Sequence, residues 1–329
     1  MRFGHGLVIG KFLPPHRGHS LLIHTACSCC DRVTVIVCAK ETDPISGEQR
    51  ASWIQEIHPQ AQVILIDDHY DPEDSLVWAE NTIRWLGQAP DAVFTSEDYG
   101  ETYTRIMGCR HVMVDRSRQA VPCSGTAIRN DPFDNWNFIE PPVRAWYARR
   151  VCILGAESTG TTTLVEDLAK HYETVWVPEY GREYCESKFR GREIVWTADE
   201  FAHIAAEQNA REESAARQSN RLLICDTNAF ATRLWERRYL GQESDAVRAE
   251  ANRVRCDLYI LTGDEIPFVQ DGLRDGEQIR HEMHTWFEQE LQAQPVPWIL
   301  VRGTPRERLA TASESVRQLF GQSFYLNGE

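Results

Sequence analysis

The sequence predicts two α/β domains in tandem, each a parallel sheet covered by helices. Three observations carry that prediction. Short apolar runs alternate with amphipathic stretches along the whole chain, which is the pattern of strand, helix, strand units. The alternation is interrupted once, near 135–148, by a Pro- and Asp-rich passage (Asn130-Asp131-Pro132, then Glu140-Pro141-Pro142), where proline blocks helix and strand alike. The 329 residues also suffice for two buried cores at roughly 150 residues per domain. The domains are therefore expected at 1–145 and 146–329.

In the first domain strands are expected at 6–10, 32–39, 62–66, 92–95 and 110–114. Amphipathic stretches near 17–30, 47–57, 73–86 and 99–107 lie between them. After the proline passage the pattern restarts with a strand at 150–154, a Gly-rich turn and a helix near 160–172. Further strands fall at 174–177, 222–225, 258–261 and 298–301, and long polar-faced helices near 197–218, 245–254, 276–293 and 305–319. The helices at 197–218 and 276–293 suit lid supports and subunit interfaces equally, so a homo-oligomer is compatible with the pattern.

Composition excludes several classes. Apolar residues make up 42% and charged ones 26%, the balance of a soluble globular protein. Acidic residues outnumber basic ones 49 to 35, both halves are acidic, and the formal charge is −14. A duplex nucleic-acid binder carries a basic footprint, so no nucleic acid is expected as a partner. No run of eighteen apolar residues occurs and the start, MRFGHGLVIG, lacks a charged-then-apolar leader. A cytoplasmic protein whose ten cysteines are free thiols follows from this. Cys27, Cys29 and Cys30 lie close to His16, His19 and His24, but the paired spacing of a zinc site is absent. Only four lysines occur (Lys11, Lys40, Lys170, Lys188) among 35 basic residues, so arginine carries most of the positive charge.

The first site candidate is GKFLPPHRGH at 10–19, behind the first strand and ahead of a helix. Ligands in open α/β sheets sit outside the carboxyl ends of strands. Gly10 lets the backbone approach a phosphate closely. His16 and His19, three apart, can turn both rings toward one group at the helix start, where they either donate to phosphate oxygens or simply cap the loop. Lys11 lies within reach. At the far end of the domain, Ser124-Gly125-Thr126-Ala127-Ile128-Arg129 offers two hydroxyls, a glycine and an arginine, a set suited to a triphosphate.

Together these residues resemble the nucleotidylyltransferase family, with its GxFxPxHxGH loop and late S-x-T-x-x-R turn. The resemblance implies a Rossmann-like domain that moves a nucleotidyl group from a nucleoside triphosphate to a phosphate and releases pyrophosphate. Positioning and charge from His16, His19, Lys11 and Arg129 would carry the rate, with Mg²⁺ on the ATP. For the acceptor, Ser96, Glu97 and Tyr99 follow a strand and fall at the ligand edge. Trp53, Trp78 and Trp85 are left to the core.

The second candidate is Gly155-Ala156-Glu157-Ser158-Thr159-Gly160-Thr161-Thr162-Thr163, between the apolar strand at 151–154 and a helix. It fits GxxxxG followed by a hydroxyl residue, with amides from Thr159 to Thr162 for phosphates and the Thr162 hydroxyl for Mg²⁺. Thr161 occupies the position of the phosphate-loop lysine and brings no charge. The strand at 222–225 runs into Asp226, where a metal-orienting carboxylate is expected. Pro178-Glu179-Tyr180-Gly181-Arg182 supplies acid, aromatic and arginine together, and Asp271-Gly272-Leu273-Arg274, with Arg280 beyond it, has the look of a lid carrying arginines.

An adenylyltransferase domain followed by a P-loop kinase domain resembles the bifunctional NadR-type proteins, which join nicotinamide mononucleotide adenylyltransferase to ribosylnicotinamide kinase. The PEYGREY-like and DTNxF-like segments and the GxESxGxTT loop carry the resemblance over nearly the whole chain. It implies that ribosylnicotinamide becomes the mononucleotide and then NAD, with ATP used twice. Glu179, Tyr180 and Arg182 would hold the riboside, Asp226 would act near its 5′-hydroxyl or the metal, and Arg274 and Arg280 would close over ATP. Many members begin with a helix-turn-helix repressor domain; this chain starts at the first transferase strand, so operator binding is not expected. Two alternatives stand beside this reading. Thr161 would suit a P-loop domain that senses nucleotide without turnover, and the transferase fold would serve another phosphate acceptor.

Overall fold

The chain divides into two units, Met1–Trp146 and Tyr147–Glu329. The structure is a computed structural model that describes residues 2–188, 195–270 and 276–321. The first unit runs β1 (Phe3–Gly10), α1 (Arg17–Cys29), β2 (Cys30–Ala39), α2 (Gly47–Ile57), β3 (Gln62–Asp67), α3 (Ser75–Leu86), β4 (Ala92–Thr95), α4 (Gly100–Met107) and β5 (Arg110–Met113). Two short helices close it, α5 (Gly125–Asn130) and α6 (Pro141–Tyr147). All five strands are parallel in the order β3-β2-β1-β4-β5. The chain steps outward from β1 through β2 and β3, then crosses back to β4 on the other side. That reversal opens a crevice at the carboxyl ends of β1 and β4.

Both sheet faces are covered, which is why the strands are continuously apolar. Val8, Val35, Val37 and Phe94 pack on Leu22, Ile23 and Ala26 of α1 and Ile54 of α2. Leu7, Ile36 and Val93 pack on Ala79 of α3 and on Tyr103 and Met107 of α4. Trp53 is buried, and Trp78 and Trp85 pack against this second layer, so the tryptophans belong to the core.

The second unit runs β6 (Arg149–Leu154), α7 (Thr161–His171), β7 (Trp176–Val177), α8 (Tyr180–Lys188), α9 (Ala198–Ala216), β8 (Leu222–Asp226), α10 (Ala229–Leu240), α11 (Asp245–Ala251), β9 (Leu258–Thr262), α12 (Arg280–Ala293), β10 (Trp298–Val301) and α13 (Pro305–Phe320). Its strands are again parallel, in the order β10-β9-β6-β8-β7, so β6 is central. Two helices had no counterpart in the sequence reading. α8 and α10 each begin after a two-residue gap from the preceding strand, β7 and β8, and α10 is capped by Asn228, whose side chain accepts from the Phe230 N–H. α9 and α13 start where the sequence says they should, each on a Thr-x-x-Glu capping box, Thr197 with Glu200 and Thr304 with Glu307.

All ten cysteines are free thiols, with Cys38, Cys152 and Cys225 inside the cores. Among the described residues no three His, Cys, Asp or Glu side chains gather as a metal cluster, and no helix is long and apolar enough to cross a membrane.

Candidate active sites

The loop after β1 is built around two stacked imidazoles. His16 is the N-cap of α1, and its Nδ1 accepts from the Gly18 N–H at 3.1 Å. A Cβ at Gly18 would lie 2.9 Å from the His16 ring, so this close approach requires glycine. Cys123 Sγ lies 3.3 Å from the same nitrogen. With Nδ1 occupied as an acceptor, the proton of the neutral ring sits on Nε2, which is then a donor. His19 stacks on His16 with ring centroids 3.8 Å apart and is met edge-on by Phe12 at 4.9 Å. His19 Nδ1 is buried without a hydrogen-bond partner among the described residues. Burial, then the Arg118 charge, pushes the His16 imidazole down to about 4. Burial, with the His16 and Arg118 charges, pushes His19 well below 6.5. Both rings are therefore neutral at pH 7, and they act by hydrogen bonding rather than by net charge.

The two sequence motifs of this domain meet in space. The Arg129 guanidinium donates to the Leu13 carbonyl and, through Nη2 at 3.1 Å, to Thr126 Oγ1. A Cβ at Gly125 would lie 2.6 Å from the Leu13 carbonyl oxygen, so glycine lets α5 close on the loop. Ser124 is the N-cap of α5: its hydroxyl accepts from the Ala127 N–H at 3.1 Å, so it organises the helix start. At Gly10 an added Cβ would meet only the Phe12 ring at 3.6 Å, so local packing leaves room there. Lys11 is exposed, and its carbonyl accepts from the fully buried Arg50, which also donates to the Cys38 carbonyl at 3.1 Å. Arg50 thus pins the loop to the end of β2. Ser96 and Glu97 lie in the turn after β4, and the Tyr99 hydroxyl donates to the Ile9 carbonyl at 3.3 Å, tying that turn to the end of β1.

In the second unit the loop after β6 wraps the start of α7. A Cβ at Gly155 would lie 2.3 Å from Thr262 Oγ1, and Gly160 holds φ at 80°, so both glycines are dictated by the turn. Thr159 is buried and serves the loop itself, its hydroxyl donating to the Ala156 carbonyl and accepting from Thr262 at 2.7 Å. Thr162 Oγ1 donates to Asp226 Oδ2 at 2.6 Å, joining the loop to the end of β8. Burial pushes the Asp226 carboxyl up to about 6, against hydrogen bonds from Thr162 and Thr161 and the charge of Arg182. Gly155, Thr161 and Thr162 line one cleft with Glu179 and Arg182. The same cleft is also lined by aromatic side chains: Trp196, Phe201, Trp235 and Tyr239.

Several expected residues sit elsewhere. Tyr180 does not line the cleft; its ring lies under the Arg211 guanidinium at 4.3 Å and its hydroxyl meets His203 Nε2 at 3.1 Å. Arg280 is buried at the start of α12 and donates to the carbonyls of Asp264 and Ile266, so it braces that turn and does not face the cleft. Arg274 lies outside the described residues. Thr163 is exposed on α7 and does not line the cleft. Glu157 and Ser158, by contrast, do line the cleft: Glu157 is held by Arg238 Nη1 at 2.8 Å and by the Gly276 N–H at 2.7 Å, and Ser158 Oγ accepts from the Val269 N–H at 2.8 Å.

Arg50, Arg118, Cys123 and the aromatic wall are functional features that the sequence analysis does not single out. The pair Arg116 and Arg118 between β5 and α5 was a readable signal. So was the spacing of four between Ala231, Trp235 and Tyr239, which marks one face of α10.

Two parallel sheets of this topology, one with a histidine pair behind its central strand and one with a phosphate loop in the same place, define a two-domain nucleotide-handling enzyme. Residues 7–131 match the cytidylyltransferase-like family and residues 150–308 an AAA domain. Over 344 residues the chain is 30% identical to the trifunctional NAD biosynthesis/regulator protein NadR of Escherichia coli (strain K12), covering 96% of this chain and 83% of that one. The corresponding protein of Salmonella typhimurium (strain LT2) is 31% identical over 293 residues, 82% of this chain and 71% of that one. The chain belongs to the NadR family of NAD-biosynthesis enzymes. A crystal structure of a NadR protein in complex with NR shares the fold with a TM-score of 0.79 at 21% identity, covering 100% of this chain and 99% of that one. A second, with NAD and AMP-PNP, gives 0.77 at 21% identity over 99% and 98%.

Proposed function

We propose that this chain builds NAD in two ATP-dependent steps: its second unit phosphorylates ribosylnicotinamide, and its first adenylylates the resulting mononucleotide with release of pyrophosphate. The observation that carries the reading is the paired construction of the two switch points. One presents neutral imidazole donors beside Arg129, and the other presents a carboxylate bonded to a phosphate-loop hydroxyl.

In the first unit the phosphate of nicotinamide mononucleotide attacks the α-phosphorus of ATP, and the bond to pyrophosphate breaks. No proton changes hands in that displacement, so donors suffice. The Nε2–H of His16 and the stacked ring of His19 stabilise charge growing on the phosphate oxygens, with Arg129 and Lys11 supplying positive charge. Ser96, Glu97 and Tyr99 form the acceptor edge, and Gly10, Ser124 and Thr126 shape the nucleotide side.

In the second unit the 5′-hydroxyl of the riboside attacks the γ-phosphorus of ATP and ADP departs. Asp226 takes the hydroxyl proton; a carboxyl raised to about 6 is mostly ionised at pH 7 yet basic enough to accept it. Glu179 and the aromatic wall of Trp196, Trp235 and Tyr239 suit a flat cationic ring. The Thr162 hydroxyl is a hard oxygen that fits Mg²⁺, and the Asp226 carboxylate bonded to it would orient the ion without ligating it directly. Mg²⁺ bound there would neutralise charge on the ATP phosphates.

The test is product analysis by HPLC on the purified protein. Ribosylnicotinamide with ATP should yield mononucleotide and then NAD; mononucleotide with ATP should yield NAD directly. NAD from the mononucleotide but none from the riboside, with ATP still bound by the second unit, would favour the sensor reading that Thr161 allows.

A further inference from the structure

We propose that Arg182 supplies the transferring phosphoryl group with the positive charge that a lysine at position 161 would otherwise supply. The inference rests on the kinase reading above and concerns how that reaction runs without the loop lysine. Thr161 lines the cleft and offers one neutral hydroxyl. A dissociative phosphoryl transfer spreads negative charge over the equatorial oxygens, and a loop of neutral amides meets only part of it.

Among the described residues that line the cleft, Arg182 is the only cation. It shares the cleft with Gly155, Thr161 and Thr162 on the phosphate side and with Glu179 on the riboside side. Thr162, in the same cleft, is bonded to Asp226, so the cleft that Arg182 lines includes the loop hydroxyl at the end of β8. Arg182 projects from the first turn of α8, and its Nε donates to Glu186 one turn on at 3.1 Å, which orients the fork.

The other arginines around the loop do not line the cleft. Arg308 binds the carbonyls of Thr159 and Gly263 and the Glu265 carboxylate at 2.7 Å, behind the loop. Arg280 is held by the carbonyls of Asp264 and Ile266, and Arg238 by Glu157. An arginine reaching in from a helix places a planar, permanently charged fork where a loop lysine would place a point charge.

The experiment compares four forms of the full chain: wild type, Arg182→Ala, Thr161→Lys and the double variant. Riboside phosphorylation is measured in steady state, AMP-PNP binding by calorimetry, and NAD formation from mononucleotide checks that each variant is folded. Arg182→Ala is expected to lower kinase kcat about 100- to 1000-fold, the range for removing one transition-state donor. The KM for riboside and the affinity for AMP-PNP should change by less than about threefold, as for an interaction made only in the transition state. Adding Thr161→Lys to Arg182→Ala should recover at least about tenfold of the lost kcat, since a loop lysine touches the same phosphates. A rise in riboside KM with kcat unchanged would make Arg182 a riboside holder and overturn the proposal, as would a double variant no faster than Arg182→Ala. A wild type that makes no mononucleotide at all overturns the kinase reading first, and the proposal with it.

Discussion

The loops behind β1 and behind β6 occupy equivalent places, yet they handle charge in opposite ways. The first buries two stacked imidazoles and keeps them neutral: His16 is driven down to about 4 and donates only through Nε2–H. The second buries an acid and keeps it poised: Asp226 is raised to about 6 and bonded to Thr162. The difference follows the chemistry. Attack by a phosphate oxygen needs no base, so donors are enough. Attack by a hydroxyl must dispose of a proton, and the proposed acceptor is the carboxylate at the strand end.

The comparison is broken most severely by removing the acid. Asp226→Asn should lower riboside phosphorylation about 100- to 10,000-fold, the range for a lost general base. NAD formation from the mononucleotide should stay intact. Burial disfavours the Asp226 carboxylate, so the variant should melt no lower than wild type. A fully active Asp226→Asn would remove the acid from the mechanism.

The mirror experiment is His19→Ala, expected to cost adenylyl transfer about 100- to 1000-fold while riboside phosphorylation is spared. Normal NAD formation by that variant would take the stacked pair out of catalysis.

A smaller, sharper contrast lies in pH. Kinase kcat/KM should fall about tenfold per unit below pH 6, because the acceptor form of Asp226 is lost as it protonates. Adenylyl transfer should show no inflection near 6.5 between pH 6 and 8, because His16 stays neutral throughout that window. An ordinary imidazole inflection in the adenylyl profile would refute the neutral-donor account.

The mildest effects concern the meeting of the two first-unit motifs. Gly125→Ala forces a Cβ against the Leu13 carbonyl and should lower stability by about 1–3 kcal/mol, the usual cost of overpacking. Ser124→Ala removes the α5 cap and should cost about 1 kcal/mol. Calorimetric melting of the first-unit transition reads both, and a Gly125→Ala protein as stable as wild type would mean that the turn relaxes freely.

Much of this was legible in the sequence because it is local. A central strand, a glycine and a helix follow one another within twenty residues, and the expected strand at 92–95 matches β4 residue for residue. His16, His19, Thr162 and Asp226 stand out by spacing and by their places behind strands, and the family resemblance supplies their expected roles. The aromatic wall is not legible in that way, because the sequence predicts no helix at α10 and because Trp196 and Tyr239 meet only when the segments before α9 and along α10 pack. Arg280 shows the limit from the other side: its place after a Gly- and Asp-rich stretch suggested a lid, but folding spends it on two backbone carbonyls.

The sequence by itself therefore determined the two α/β domains, both phosphate loops and the absence of a lysine at 161, since each depends on neighbours along the chain. Only the tertiary structure decided which proton His16 carries, what Arg129 holds and which arginine faces the cleft. The Sγ of Cys123 reaches His16 across 107 residues, Arg129 reaches Leu13 across 116, and Thr162 reaches Asp226 across 64. Contacts at such separations are set by sheet order and helix packing, which no short window of residues encodes.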